Sequence, residues 1–383
     1  MSDITIDDQC AEALKFVTDG AGKGDHDSLI FITVSASGTA TIATNTTATQ
    51  RSMTVPVESP EETIVAVRAN ALSSMTDKVD EDQNLSMSIR DNKLYIAVGA
   101  TSATLHNLAD YAVDCKKNLP QHPVVNVSEA ALGINAIAQA VKAVSSNNGV
   151  INISGDDTGM AIGSGSEDIY TQELIPATIL GGNEEYRMEI HANHLRSLTK
   201  LSKIEGLENI EISQGTGFAS FTFPVDDPAT YLKSVTVVTP TVVSARQNKS
   251  TPCDEDIIAN FTTSRVALNT AIKPLKGVIP GKGIVTLDST QTGRVIIKVN
   301  DSDSDGRTVI VDAVVDKGDV ISTSLTNLQK ALQTVKSENV NIGKIIHNDH
   351  EWISITGVDD DDEDNLGNAY DFIVAVSTES LDD

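Results

Sequence analysis

The sequence is poor in the features that would tie it to several common protein classes. Cysteine is sparse: Cys10, Cys115 and Cys253 stand far apart. Such a set is too small and too odd for a disulfide framework, and it suits a reducing compartment. Aromatic residues make up only 4% of the chain, so its cores have to be built from Val, Ile, Leu and Ala. No apolar run approaches the ~20 residues that span a bilayer. The opening "MSDITIDDQC" has neither the basic nor the apolar region of a signal peptide, and a soluble, cytoplasmic protein is expected. Cations are scarce too, with 28 Lys and Arg against 54 Asp and Glu and a formal net charge of -26. That balance argues against nonspecific adhesion to nucleic acid or anionic lipid and makes any polyanion contact a local one.

Signatures of catalysis are equally thin. There is no Gly-x-Ser-x-Gly elbow and no carboxylate pair marked out by its context. "GAGKGD" (Gly20 to Asp25) lacks the Lys-Ser/Thr pair of a phosphate loop. "DSDSDG" (Asp301 to Gly306) resembles the start of a calcium loop, but its flanks read as strands and an acidic hairpin turn is expected. His191 and His194, like His347 and His350, have no third ligand nearby in sequence. "DDDDED" (Asp359 to Asp364) reads as a solvated loop. No enzyme, cofactor or metal site is expected.

What the chain does have is a long repeat. At 383 residues it exceeds one ordinary core, and its pattern is mostly strands. "LIFITVSASGTATIAT", "VINISGDDTGMAIGSG" and "IVTLDSTQTGRVIIKV" each read as a hairpin, with turn glycines Gly38, Gly159 and Gly293 spaced by 121 and 134 residues. A helical pattern precedes each: Asp7 to Gly20, Ser128 to Val144 and Thr263 to Gly277, where Pro274 should end or kink the helix. A second unit, strand then helix then hairpin, also recurs, starting at Met53, Met188 and Val320. In its first copy Ser59, Pro60 and Glu62 have the form of a helix-starting capping box. Polar, proline-bearing stretches at Lys116 to Asn126 and Ser244 to Asp256 read as linkers.

The scarce cations are not scattered. Segments 192–203, 264–276 and 324–336 hold 38 residues, of which eight are basic and none acidic; simple proportion would put about five acids there. On an α-helix, Leu195, Leu198 and Leu201 form one stripe while Arg196, Lys200 and Lys203 fall on the opposite side. Leu325, Leu328, Leu332 and Val335 form the apolar stripe of the third segment, with Lys330 opposite. The first module fits less well, since its helices are expected to carry Glu12, Glu61 and Glu62.

Three tandem modules of helices and hairpins resemble the bacterial DNA polymerase III β subunit, the sliding clamp. The best local matches are "MTVPVESPEETIVAVRANAL…LSMSIRDNKLYIAVGATSATLHNLAD" and "GVINISGDDTGMAIGSGSEDIYTQELIP". The resemblance implies an α+β fold of three clamp-type domains at residues 1–122, 123–248 and 249–383. Each would have two helices packed on antiparallel sheets, and two chains would join head to tail as a closed ring. It implies helices lining the hole, with Arg68, Lys142, Arg196, Lys200, Lys203, Arg265, Lys273, Lys276, Lys330 and Lys336 facing double-stranded DNA without reading its sequence. It implies a DNA polymerase and a clamp loader as partners, each docking a short peptide in an apolar groove between the second and third domains. Ile169, Tyr170, Tyr231, Leu232, Val374 and Val376 are the expected lining. Two departures mark a divergent member, bacterial or viral: "SEDIYTQ" stands where the family has Thr-Asp-x-x-Arg-Leu, and the chain runs on as "TESLDD". The competing reading is a β-rich structural or virion component with no DNA role. It fits the low aromatic content but not the acid-free helices.

Overall fold

The computed structural model describes residues 2–22, 28–46, 49–79, 83–111, 123–144, 149–156, 159–165, 169–180, 186–242, 257–277, 283–301, 304–335, 337–347, 350–358 and 372–377. The two expected linkers fall largely outside these, as does the acidic run at 359–364.

Along the chain one order of elements occurs three times. The first is β1 (Ser2–Ile6), α1 (Asp8–Thr18), β2 (Leu29–Val34), β3 (Thr39–Thr44), β4 (Gln50–Pro56), β5 (Thr63–Arg68), α2 (Ala69–Thr76), β6 (Leu85–Arg90), β7 (Lys93–Val98) and β8 (Thr101–His106). The second is β9 (Val125–Val127), α3 (Ala130–Ala143), β10 (Val150–Asp156), β11 (Gly159–Gly165), β12 (Ile169–Ile175), a short extra β13 (Ala177–Ile179), β14 (Tyr186–His191), α4 (Ala192–Leu195), β15 (Ile210–Gly215), β16 (Phe218–Pro224) and β17 (Ser234–Pro240). The third is β18 (Ile257–Ser264), α5 (Arg265–Ile272), β19 (Ile284–Asp288), β20 (Arg294–Asp301), β21 (Ser304–Lys317), β22 (Val320–Ser324), α6 (Leu325–Thr334), β23 (Asn339–His347), β24 (His350–Val358) and β25 (Phe372–Ser377). The three hairpins read from sequence are β2–β3, β10–β11 and β19–β20. Gly38 (φ 86°) and Gly293 (φ 82°) occupy turn positions that a Cβ would strain.

By packing, the chain divides into two compact units. One holds Met1–Ala138, Ser154–Met160 and Pro176–Val243; the other holds Gln139–Ile153, Ala161–Ile175 and Ser244–Asp383. In the first unit a four-stranded sheet runs β1-β6-β7-β8 and a nine-stranded sheet runs β13-β9-β15-β16-β17-β4-β3-β2-β5. The nine-stranded sheet is continuous because β17 pairs antiparallel with β4, from Ser234 opposite Thr54 to Val238 opposite Gln50. That ladder joins the first repeat to part of the second within this unit; residues 139–153 and 161–175 of the second repeat belong to the other unit. The core beneath α1 and α2 is aliphatic, with Ile4, Ile6, Leu14, Val17, Leu72 and Leu85 all at or below 1% exposure. In the second unit strands run β12-β25-β24-β23-β18-β21-β20-β19-β22. Their inner faces enclose Phe261, Leu268, Ile272, Leu328 and Leu332, so α5 and α6 bury one stripe each.

Two local expectations are corrected. Ser59 caps no helix: it has φ 54°, and Thr63–Arg68 is the strand β5, whose β-branched Thr63, Ile64, Val65 and Val67 favour a pleated backbone. The helix begins only at Ala69, so the second unit of the first repeat starts at Thr63 and not at Met53. The segment from Leu195 to Ile204 is not one α-helix either. It is a single α turn followed by a 3-10 helix, Leu198–Lys203. Leu195, Leu198, Leu201 and Ile204 recur every third residue and are all buried, which is the period of a 3-10 helix.

Candidate nucleic-acid interface and partner-binding residues

The helix boundaries sharpen the charge pattern. Among the described residues, of the six α-helices and the 3-10 stretches that continue α4 and α5, only α1 contains an acid. Glu61 and Glu62 precede β5, and Glu129 lies just before α3. The acid-free set therefore covers five helices, more than the three segments visible in sequence. In α1, Glu12 is occupied by Lys15 at 2.8 Å, and Asp8 lies in the first turn, where the helix dipole favours a negative charge.

The expected cations take several positions on these helices. Arg68 is the exposed residue preceding α2, with its guanidinium 3.4 Å from the Ser28 hydroxyl. Lys142 is exposed in the last turn of α3. Lys200 and Lys203 are exposed one turn apart on the 3-10 helix, while Arg196 belongs to the preceding turn. The threefold winding thus aligns the two lysines and sets Arg196 about a third of a turn aside. Lys200 lies 3.3 Å from Asp19, an exposed pair of the kind that contributes little. Arg265 is half-buried, its Nε donating to the Ser337 carbonyl at 2.7 Å; Lys273 and Lys330 are exposed. Lys276 lies in the 3-10 stretch after α5. Lys336 lies outside the described residues.

Among the expected peptide contacts, Tyr231 and Leu232 belong to the first unit. Tyr231 is 43% exposed and Leu232 is fully buried, so an incoming peptide would meet the tyrosine and not the leucine. Asp7 accepts hydrogen bonds from the Tyr231 amide and the Thr230 hydroxyl, each at 2.8 Å. It also caps α1 by accepting from the Cys10 amide at 2.7 Å. Burial opposes charge on Asp7, but the bonds from Cys10, Tyr231 and Thr230 outweigh it and hold the carboxyl below its usual range. Burial and the neighbouring Asp7 push the Cys10 thiol far up, so Cys10 is an inert core residue. Nothing in the sequence marked this contact, which spans more than two hundred positions. In the second unit β12 pairs antiparallel with β25, with Ile169 opposite Val376, Tyr170 opposite Ala375 and Thr171 opposite Val374. Four of the six expected residues therefore lie on adjacent strands.

No family model and no curated protein matches the sequence, but solved structures match nearly all of it. A DNA polymerase sliding clamp from Pseudomonas aeruginosa, with a ligand, is similar at a TM-score of 0.74 and 14% identity, over 98% of this chain and 99% of that one. The DNA polymerase III β subunit of Thermotoga maritima follows at 0.71 and 13%, with the same coverage. A P. aeruginosa clamp bound to griselimycin scores 0.73 at 13% identity, over 98% of each chain. The fold is that of a bacterial sliding clamp. It is α+β, and the clamp fold accounts for the threefold order of elements.

Other polar side chains form local contacts. His194 Nδ1 lies 3.0 Å from the Thr49 hydroxyl, with the His191 and His194 ring centroids 6.3 Å apart. Among the described residues no three His, Cys, Asp or Glu side chains group as a metal would need. Asp301 ends β20 and Ser304 begins β21, and the two are register partners; the rest of the expected "DSDSDG" turn, residues 302 and 303, lies outside the described residues. Lys344 bridges Asp319 and Glu351, each at 3.3 Å. Burial works against its charge, but the two carboxylates hold its pKa above the usual value. Among the described residues no helix is long and apolar enough to cross a membrane.

Proposed function

We propose that this chain is a DNA sliding clamp, a non-enzymatic cytoplasmic factor that encircles duplex DNA and tethers a replicative polymerase. One observation carries the reading: a chain with 54 acids keeps five of its six described helices free of them. Duplex DNA presents one phosphate charge per ~1.7 Å of axis, and a surface that accommodates it must exclude carboxylates. Cations spread over Arg68, Lys142, Arg196, Lys200, Lys203, Arg265, Lys273, Lys276, Lys330 and Lys336 attract the backbone at no particular sequence. The hold is topological, so the ring slides.

The division into domains at 1–122, 123–248 and 249–383 belongs to the same proposal, supported by the recurring order of elements. So does a head-to-tail homodimer. Within the chain, the fourth strand of one repeat pairs with the last strand of the next: β4 with β17, and β12 with β25. The fourth strand of the third repeat, β21, and the last strand of the first, β8, are left over. β8 is a sheet edge. Residues Arg307–Asp312 of β21 pair with β20 on one side and have no second ladder among the described residues. A second copy supplies the missing partner to each. For the polymerase and clamp loader we propose peptide contacts at Tyr231 in the first unit and, taken separately, along β12 and β25 in the second. A structural or virion role is not favoured, because it gives no reason for acid-free helices.

The test is retention on DNA. Loaded onto a nicked circular duplex, the protein should stay bound through a salt wash and dissociate once the circle is cut. Replacing Arg196, Lys200 and Lys203 with Glu should abolish loading while the far-ultraviolet circular dichroism stays unchanged. Retention that survives linearisation, or loading indifferent to the three reversals, contradicts the proposal.

A further inference from the structure

Strand β5 ends the nine-stranded sheet, and its composition suits that place poorly. Thr63–Val67 are uncharged, mostly β-branched and free of proline, and Ile64 stands 50% exposed. Such a stretch on an open edge is a template for the strand of another chain. This edge is not open. The Ala66 amide donates to Asn107 Oδ1 at 2.8 Å, the Ala66 carbonyl accepts from Leu108 N at 2.8 Å, and the Ile64 carbonyl accepts from Asn107 Nδ2 at 3.1 Å. The Asn107 carboxamide thus offers β5 one acceptor and one donor, as a peptide group of a neighbouring strand would. Its orientation is fixed by what surrounds it. The amides of Ala66 and Ala109 can only donate, so both face Oδ1, Ala109 at 2.9 Å, and the Ile64 carbonyl can only accept. Nδ2 also donates to Asn92 Oδ1 at 2.6 Å in the β6–β7 turn, which anchors the side chain.

The second repeat manages the same place by another means. Val242 N donates to the Glu189 carbonyl at 2.7 Å. Glu189 lies three residues before α4, as Ala66 lies three before α2, so Val242 corresponds to Leu108 and Thr241 to Asn107. The strand there, β14, also ends its sheet. It carries Arg187 and Glu189, 4.0 Å apart, where β5 has Ile64 and Ala66. Charge protects that edge, and β5 has none before Arg68. We propose that Asn107 is an edge guard: its carboxamide occupies the outward groups of β5 and prevents antiparallel pairing of β5 with β5 of another copy. The guard restricts how copies of the chain associate, and it holds whether or not the chain encircles DNA.

The experiment is sedimentation velocity of the full chain over a concentration series, with far-ultraviolet circular dichroism to confirm folding. Asn107→Ala should form species heavier than any the parent forms, in a share that grows with concentration. Asn107→Thr, which installs the residue of the second repeat, should do the same and covers the case in which the alanine variant fails to fold. Adding Ile64→Lys, which places a charge where β14 has Arg187, should return either variant to the distribution of the parent. A merely structural role for Asn107 would lower stability without that rescue. Parent-like sizes in the folded Asn107 variants overturn the inference. So do heavier species that persist when Ile64→Lys is added, because association then runs through another surface.

Discussion

Acids dominate this sequence, yet individual carboxylates have quite different tasks. Asp7 joins a helix cap to a distant loop. Asp288 organises the end of β19: Thr290 donates its hydroxyl at 2.6 Å and its amide at 3.2 Å, and Lys298 donates at 2.9 Å. The Thr290 hydroxyl and Lys298 outweigh desolvation and lower the Asp288 pKa from 3.8 to about 2. A carboxyl depressed in the folded state contributes stability that is complete above its unfolded pKa and disappears as pH falls through the folded value. The contribution of Asp288 should therefore be lost between roughly pH 4 and pH 2. Urea unfolding of Asp288→Asn should show a shallower fall in stability over that window than the parent. An identical acid limb in both proteins would mean that the carboxylate is not held in this way.

At the level of elements, how legible the sequence was depended on where the deciding interaction lay. The hairpins β2–β3, β10–β11 and β19–β20 were readable because a turn glycine between alternating residues is a local signal. Helix α1 was readable because an acid suited to a cap, Asp7 or Asp8, precedes its apolar pattern and Gly20 follows it; the cap is Asp7. The Ser59–Glu62 signature misled because a capping box specifies a helix only if the next residues accept one, and Thr63–Val67 do not. The 3-10 stretch Leu198–Lys203 looked like an α-helix because leucines three apart suit either winding; burial of Ile204 along with them settles the period. The β4–β17 and β12–β25 ladders left no trace, since their partners lie far apart and no residue type encodes the pairing. The threefold winding makes a distinction that can be measured. Leu201 is fully buried, while Lys200 and Lys203 are exposed. Leu201→Ala should destabilise the protein by roughly 2–5 kcal/mol, whereas Lys200→Glu with Lys203→Glu should stay within about 0.5 kcal/mol per site in denaturant unfolding. Comparable losses in the two variants would show that the lysines pack and do not merely face solvent.

For the whole molecule, the geometry of β8 decides how ring closure can be tested. Val98 and Thr101 are register partners across a two-residue turn, with Gly99 at φ 53°. The pair flanking such a turn shares the ladder's hydrogen bonds, and bonded and non-bonded pairs then alternate along the strand. Ala103 and Leu105 therefore bond toward β7, and the amides of Ser102, Thr104 and His106 point to the open edge. Proline is tolerated on a sheet edge where its missing N–H would have faced outward. Thr104→Pro should leave the β7–β8 ladder and the circular dichroism intact but remove one hydrogen bond from the proposed seam with β21 of a second copy. In sedimentation equilibrium the parent should weigh twice the 40.6 kDa chain and the variant should shift toward a single chain. The same variant should lose retention on circular duplex while the exposed helix cations remain in place, because single chains parted at both equivalent seams hold DNA only by weak, screened contacts. A dimer undisturbed by Thr104→Pro would place the seam elsewhere and remove β8 as its first strand.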